Sequence, residues 1–452
     1  MKKTGLVMIA VLTAVAVVTG CGGAAVSSSP EKNKGPAPSY DEVLNVVQVT
    51  PEKFLDSGAA DPEAQTAAVG ANDFAFRLSA ALIKDINNNN FVCSPYSVWM
   101  PLAALLNATN AENKEALLAA LGASGITEAD MNRAASRMLY DLTNEWRKEN
   151  KVGLYREYYN PLKIVNAIFV SNQVTLRTDF AQTFMDYYRG SSINVDFFSS
   201  EAVDAVNQWA SDNTEGLIHN VVSGFDPYTV AAIANAIYFS DRWSSEFDPE
   251  QTKEDVFHLP GGGEKTAFYM LKEGEGHRYY DDDKVQAVRL GFKNSGYNMY
   301  IILPRDGDAA ALLASMTTSY FNEIESETVR AAGKLLLPRF SVENEIKGLK
   351  EALIALGVPL FNKESLPITM LIEEKDPLYL SGAIQKALIK VDEKGTTAAA
   401  VTIMSAVSGS YQPQPPPKPF EMICDKPFVF ILYDYTQDGG SQILFTGVVN
   451  RP

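Results

Sequence analysis

Apolar residues recur at helical spacing across residues 72–86, where Phe74, Leu78, Ala81 and Leu82 share one side of a 3.6-residue turn. Residues 98–106 and 111–121 follow the same period, and Gly122 stops the second run. Between them, the asparagines at 87–90 predict a turn, and Phe91-Val92-Cys93 predicts a short buried strand opening on Ser94-Pro95. Beyond the first third the pattern changes. Residues 164–170, 231–239, 285–290, 299–303 and 428–433 are rich in β-branched and aromatic residues and predict strands, while 200–214 and 346–356 return to helical spacing. Helices first and strands later, without regular alternation, predict an α+β fold.

The amino terminus has a separate logic. Met1-Lys2-Lys3 precedes an apolar run over residues 6–18, which is shorter than the roughly 20 residues that span a bilayer. The run ends in Val18-Thr19-Gly20-Cys21, and a cysteine directly after small residues resembles the lipobox of bacterial lipoproteins. That resemblance implies cleavage before Cys21, diacylation of its thiol, and an extracytoplasmic protein held by its lipid on the cell membrane or outer membrane. Several acyl chains hold stably where one is marginal. Ser27-Ser28-Ser29-Pro30 and Gly35-Pro36-Ala37-Pro38 have the composition of a disordered tether. The expected organisation is a leader over 1–20, a lipidated tether and loosely packed extension over 21–70, and one folded domain over 71–452.

Charge and residue counts narrow the chemistry. A formal net charge of −16 with no block of basic residues argues against nucleic acid and against an anionic membrane face as partner. Cys21, Cys93 and Cys424 are too few for a disulfide framework and lack a CxxC spacing; Cys93 and Cys424 are expected as free buried thiols. The three histidines, His219, His258 and His277, form no ligand or HExxH spacing, so no metal is expected. No GxSxG elbow or phosphate-binding glycine loop occurs, and Gly261-Gly262-Gly263 leads into Glu264 as a surface turn. The chain is expected to be neither an enzyme nor a cofactor carrier.

Residues 389–419 carry the strongest signal. They read IKVDEKGTTAAAVTIMSAVSGSYQPQPPPKP. After a strand predicted over 387–391 come Glu393-Lys394-Gly395, and then residues 396–410 contain neither charge nor proline. Pro413, Pro415, Pro416, Pro417 and Pro419 follow. A strand entering the middle of a sheet needs every N–H free and small or apolar side chains on the inward face. Thr396, Ala398, Ala400, Thr402 and Met404 meet that requirement, and the proline-rich half cannot. About a dozen new ladder hydrogen bonds at ~1 kcal/mol each would rival the ~5–15 kcal/mol stability of a whole domain.

Glu393-Lys394-Gly395-Thr396-Thr397-Ala398-Ala399-Ala400 resembles the proximal hinge of inhibitory serpins. Ser94-Pro95-Tyr96-Ser97, Asn235-Ala236-Ile237-Tyr238-Phe239 with Trp243 and Phe247-Asp248-Pro249, Leu337-Pro338-Arg339-Phe340 and Asp425-Lys426-Pro427-Phe428 resemble further signatures of that family, in the family's order. The resemblance covers residues 72–452. It implies the serpin fold: helices packed on three β-sheets, with a five-stranded central sheet A and an exposed reactive-centre loop. It also implies inhibition of serine-type, and also cysteine-type, endopeptidases: the cut loop inserts into sheet A and drags the acylated protease with it. By the same resemblance, Ser94, Ser97 and Asn235 belong to the shutter that lets sheet A open, and Trp243 to the breach where insertion begins.

Two departures stand out. Many serpins carry a shutter histidine where this chain has Gln385, so opening need not follow histidine protonation. Counting the family's usual seventeen residues from Glu393 places the scissile bond at Gly409-Ser410, although the downstream half is longer than usual. Small residues around that bond suit elastase-, subtilisin- or papain-like targets with shallow pockets, and cleavage after Tyr411 would instead suit a chymotrypsin-like enzyme. Arg133, Arg137 and Arg147 are interspersed with acids, against a polyanion-activated mechanism. A monomer is expected. The alternative reading is a non-inhibitory serpin acting as a surface-binding lipoprotein.

Overall fold

The first helix among the described residues begins ten residues before the apolar period announces it. In the computed structural model α1 spans Pro62–Leu82, with proline in the first turn, where a missing N–H costs nothing. Its early buried positions are Ala64, Ala67 and Gly70, residues too small to register as a hydrophobic stripe. They are small because α1 is closely approached there: a Cβ on Gly70 would lie 2.2 Å from the carbonyl oxygen of Gly122. Neither backbone can yield. Gly70→Ala is therefore expected to cost about 3 kcal/mol, as overpacking does in a rigid core, measured as a lower urea midpoint with unchanged slope.

The structure describes residues 7–19, 45–46, 62–143, 161–226, 228–293, 296–374, 377–394, 419–435 and 441–452. Among the described residues eight further helices follow α1: α2 (Pro95–Leu105), α3 (Ala111–Ala120), α4 (Glu128–Leu142), α5 (Thr178–Tyr188), α6 (Ser200–Asn213), α7 (Ala309–Ser315), α8 (Thr318–Glu327) and α9 (Leu349–Ala355). Every residue of α2 is buried, which makes it the central post of the molecule.

Sheet A contains, from edge to edge, β12 (Phe340–Ile346), β13 (Leu378–Val391), β1 (Val7–Thr19), β6 (Thr229–Asp241), β4 (Leu162–Ser171), β5 (Gly190–Val195) and β2 (Asn45–Val46). The five strands β12, β13, β6, β4 and β5 are the expected central sheet. The other two come from the amino terminus, and β1 stands between β13 and β6. Residues expected as a leader thus form a full-length strand.

The remaining strands make one continuous ladder: β14 (Phe420–Ile423), β11 (Val329–Pro338), β8 (Glu264–Asp281), β9 (Val285–Gly291), β10 (Tyr297–Pro304), β15 (Phe428–Tyr435), β16 (Ser441–Val449) and β3 (Phe91–Cys93), with β7 (Lys253–His258) paired to β8. The eighteen-residue β8 runs through this ladder, and its Gly274 and Gly276 take positive φ beside the register shift in its pairing with β11.

Sheet A is covered on both faces, so β6 is apolar without alternation. Its Ile233, Ile237 and Phe239 enter the main core around α2. Ala232, Ala234 and Ala236 face Ala202, Val206 and Trp209 of α6 in a second, smaller core.

Candidate functional site

The site lies along sheet A, from the end of β13 to the middle of β6. β13 is fourteen residues long and reaches Val391, nine residues earlier in its start than the five-residue strand the sequence predicts. Asp392, Glu393 and Lys394 follow. The remaining hinge residues, Gly395, Thr396, Thr397, Ala398, Ala399 and Ala400, lie outside the described residues, as do the Gly409-Ser410 bond and Cys21.

The first hinge residues are held by three elements. Trp243, fully buried at the end of β6, donates its indole N–H to the Asp392 carbonyl at 2.9 Å. Its ring stacks on Phe292 at 4.6 Å, which fixes the direction of that donor. The Phe247 N–H donates to the Glu393 carbonyl at 2.9 Å. The Glu393 side chain is buried and accepts from Arg339 Nε at 2.7 Å and Thr252 Oγ1 at 2.5 Å. Sequence reasoning named Trp243 and Glu393. It missed Arg339 and Thr252 as partners, although Arg339 stands in a motif quoted above.

Burial pushes the Glu393 carboxyl up, but the hydrogen bonds from Arg339 and Thr252 outweigh it and hold the carboxyl below its ordinary range. A depressed carboxyl stabilises the fold above its unfolded pKa, and that contribution disappears as pH falls through the folded value. Glu393→Gln is therefore expected to lower stability by about 2 kcal/mol at neutral pH, the scale of a charge-assisted bond. Urea unfolding across a pH series should show the gap between variant and wild type closing below the ordinary carboxyl range.

The shutter lies at mid-sheet. Ser94 caps the amino end of α2, its Oγ accepting the Ser97 N–H at 3.3 Å and donating to the Leu444 carbonyl at 2.8 Å. Ser97 Oγ donates to Asn235 Oδ1 on β6, and Asn235 Nδ2 donates to Asn166 Oδ1 on β4 at 2.8 Å. Asn166 in turn donates to the Tyr188 carbonyl at 2.6 Å. On the β13 side, Gln385 grips the Ser94 backbone with both ends of its amide: Oε1 accepts the N–H at 3.0 Å and Nε2 donates to the carbonyl at 2.9 Å. Ser94, Ser97, Asn235 and Gln385 are all fully buried. The helix post is thus tied to β6 by one side-chain bond and to β13 by two. Both ties are neutral, so neither is gated by a proton.

Cys93, next to Ser94, and Cys424 are free and buried, as expected. Burial pushes both thiols up, which suppresses thiolate chemistry. Among the described residues no three His, Cys, Asp or Glu side chains converge to hold a metal ion, and no helix is long and apolar enough to cross a membrane.

Residues 69–452 match the family model described as "Serpin (serine protease inhibitor)". The chain is 28% identical over 461 residues to an uncharacterized serpin-like protein of Thermococcus kodakarensis, covering 100% of this chain and 99% of that protein. It is 28% identical over 410 residues to alpha-1-antitrypsin 1-1 of Mus musculus, covering 90% and 93%. Among solved structures, the native state of the thermophilic serpin tengpin superposes with a TM-score of 0.72 at 22% identity, over 92% of this chain and 99% of that one.

Proposed function

The chain belongs to the serpin family, whose members are generally protease inhibitors rather than catalysts, and from that premise we propose that it inhibits endopeptidases by covalent trapping. The observation that carries this reading is the standing of β6 and β13 on either side of an added strand, with the uncharged, proline-free residues 396–410 following β13 in sequence after residues 392–395. The protease's serine Oγ, or cysteine Sγ, attacks the Gly409 carbonyl and expels the Ser410 amine. The acyl bond to Gly409 remains. If the freed loop then zips between β6 and β13, the protease is dragged along the sheet before water reaches that bond.

The breach contacts support a hinge-first order. Trp243 and Phe247 hold Asp392 and Glu393 by their backbones at the end of sheet A, where the residues that would insert first begin. The hinge composition supports inhibition over the non-inhibitory alternative, since Thr396 to Ala400 are small and uncharged. The small residues Ala406, Val407, Ser408 and Gly409 favour elastase-, subtilisin- or papain-like targets. The likeness of Val18-Thr19-Gly20-Cys21 to a lipobox supports a mature protein outside the cytoplasm on a lipid anchor at Cys21.

Incubation with pancreatic elastase, subtilisin, chymotrypsin and papain, followed by denaturing gels and mass spectrometry, tests this directly. The expected result is a boiling-resistant complex with an acyl bond at Gly409. Loop cleavage by all four enzymes without a complex would overturn the inhibitory reading for those targets.

A further inference from the structure

The place between β6 and β13 has an occupant. β1 pairs antiparallel with both neighbours along nearly its whole length, Met8 opposite Lys390 and Ser240, Thr13 opposite Gln385 and Asn235, Val18 opposite Tyr379 and Thr229. Its amino end lies at the breach, beside the end of β13. A loop turning back from Glu393 would run in the same direction through the same positions. Two segments of one chain therefore address one slot.

The fit goes beyond hydrophobicity. Directly paired residues of an antiparallel ladder share a face of the sheet. Val7, Ile9, Val11, Thr13, Val15, Val17 and Thr19 are all β-branched. From Ile9 to Val17 they are level with Phe239, Ile237, Asn235, Ile233 and Ala231, the positions of β6 that face the main core. The intervening Ala10, Leu12, Ala14 and Ala16 are level with Tyr238, Ala236, Ala234 and Ala232, the positions facing α6. Thr13, the one polar residue between Val7 and Val18, falls at the level of the buried amides Asn235 and Gln385. An apolar leader that only has to be recognised for export needs no period of two and no polar residue at one fixed level. In residues 7–19 the β-branched period and the single polar residue fall in register with the two neighbouring strands.

We propose that residues 7–19 are a removable plug for the loop's own slot: the chain that keeps its first twenty residues cannot complete trapping, and cleavage before Cys21 arms it. The inference rests on the inhibitory reading and on the leader reading of residues 1–20. The slot selects an uncharged, proline-free strand. Residues 396–410, like residues 7–19, carry neither charge nor proline, so the two segments compete for one place. A precursor still inside the cell would then leave the proteases there untouched.

Three preparations test this: the full chain with Cys21→Ala, made without export so that residues 1–20 stay; the same chain with Val11→Asp and Val15→Asp; and the processed protein recovered from membranes. Each is incubated with the protease that cuts its loop, and amide exchange of β6 and β13 is followed in parallel. In the retained chain the loop should be cut without a stable complex, its complex yield lower by roughly tenfold or more if the unplugged state is a minor ~10% population. The aspartate pair and the processed protein should both trap protease, and their β6 and β13 amides should exchange faster. Equal complex yields from retained and processed chains overturn the proposal. If no preparation forms a complex, the inhibitory reading fails and exchange alone decides: slow exchange only in the retained chain upholds the plug, and equal exchange in all three overturns it.

Discussion

Ala398→Arg in the processed protein is expected to convert an inhibitor into a substrate. The loop is still cut, but the arginine reaches sheet A within the first residues to insert, where both faces of the sheet are closed by the main core and by α6. An unpaired guanidinium there costs several kcal/mol, and each ~1.4 kcal/mol added to the insertion barrier slows insertion tenfold while hydrolysis of the acyl bond continues unchanged. The ratio of trapped to cleaved product should fall roughly 100-fold or more for ~3 kcal/mol. Gln414→Arg, in the proline-rich half that never inserts, should leave the ratio unchanged. Titration of product ratio on gels reads both. A full yield of complex from Ala398→Arg would mean that trapping does not run through insertion of residues 396–404.

Asn235→Ala attacks the same event from the sheet. Asn235 is fully buried and joins α2 to β4: it accepts from Ser97 and donates to Asn166. Alanine leaves the Ser97 hydroxyl and the Asn166 carbonyl oxygen buried with a partner missing, at ~1–3 kcal/mol for each unsatisfied group. The expected loss is about 3 kcal/mol of stability, read as a lower denaturant midpoint. A looser shutter should also speed spontaneous opening, so incubation at moderately raised temperature should convert the variant to an inactive or polymeric form sooner than wild type. If stability falls and the rate of inactivation does not change, Asn235 supports the core without controlling the sheet.

The strands that sit in a closed core were legible because burial on both faces leaves no room for polar residues. Residues 231–239 read as a strand and are the middle of β6. β13 was harder: Ser381-Gly382, Gln385 and Lys386 interrupt its apolar pattern, and only residues 387–391 looked like a strand. Gln385 is tolerated there because Ser94 pairs with both the oxygen and the nitrogen of its amide, a partner 291 residues away that no local pattern announces. Glu393 tells the same story, paired with Arg339 across 54 residues and with Thr252 across 141. Trp243, Ser94, Ser97 and Asn235 were nameable only through the family resemblance, since a serine or asparagine in an apolar stretch has no signature of its own. Residues 7–19 were read for their hydrophobicity, which export also demands; their alternation was present in the sequence but acquires meaning only beside β6 and β13.

Cys93 gives the shutter an indicator of its own. Its sulfur is sealed in β3, one residue before the Ser94 backbone that Gln385 grips, and burial keeps it protonated at neutral pH. A thiol reagent in solution therefore finds it only in the moments when that part of the molecule comes apart. The rate at which Cys93 is labelled is a stopwatch on those moments, running in the protein without any substituted residue, and Cys424, buried against β11, serves as a second clock for another part of the molecule. When the first clock runs ahead of the second, the centre of the sheet is opening by itself.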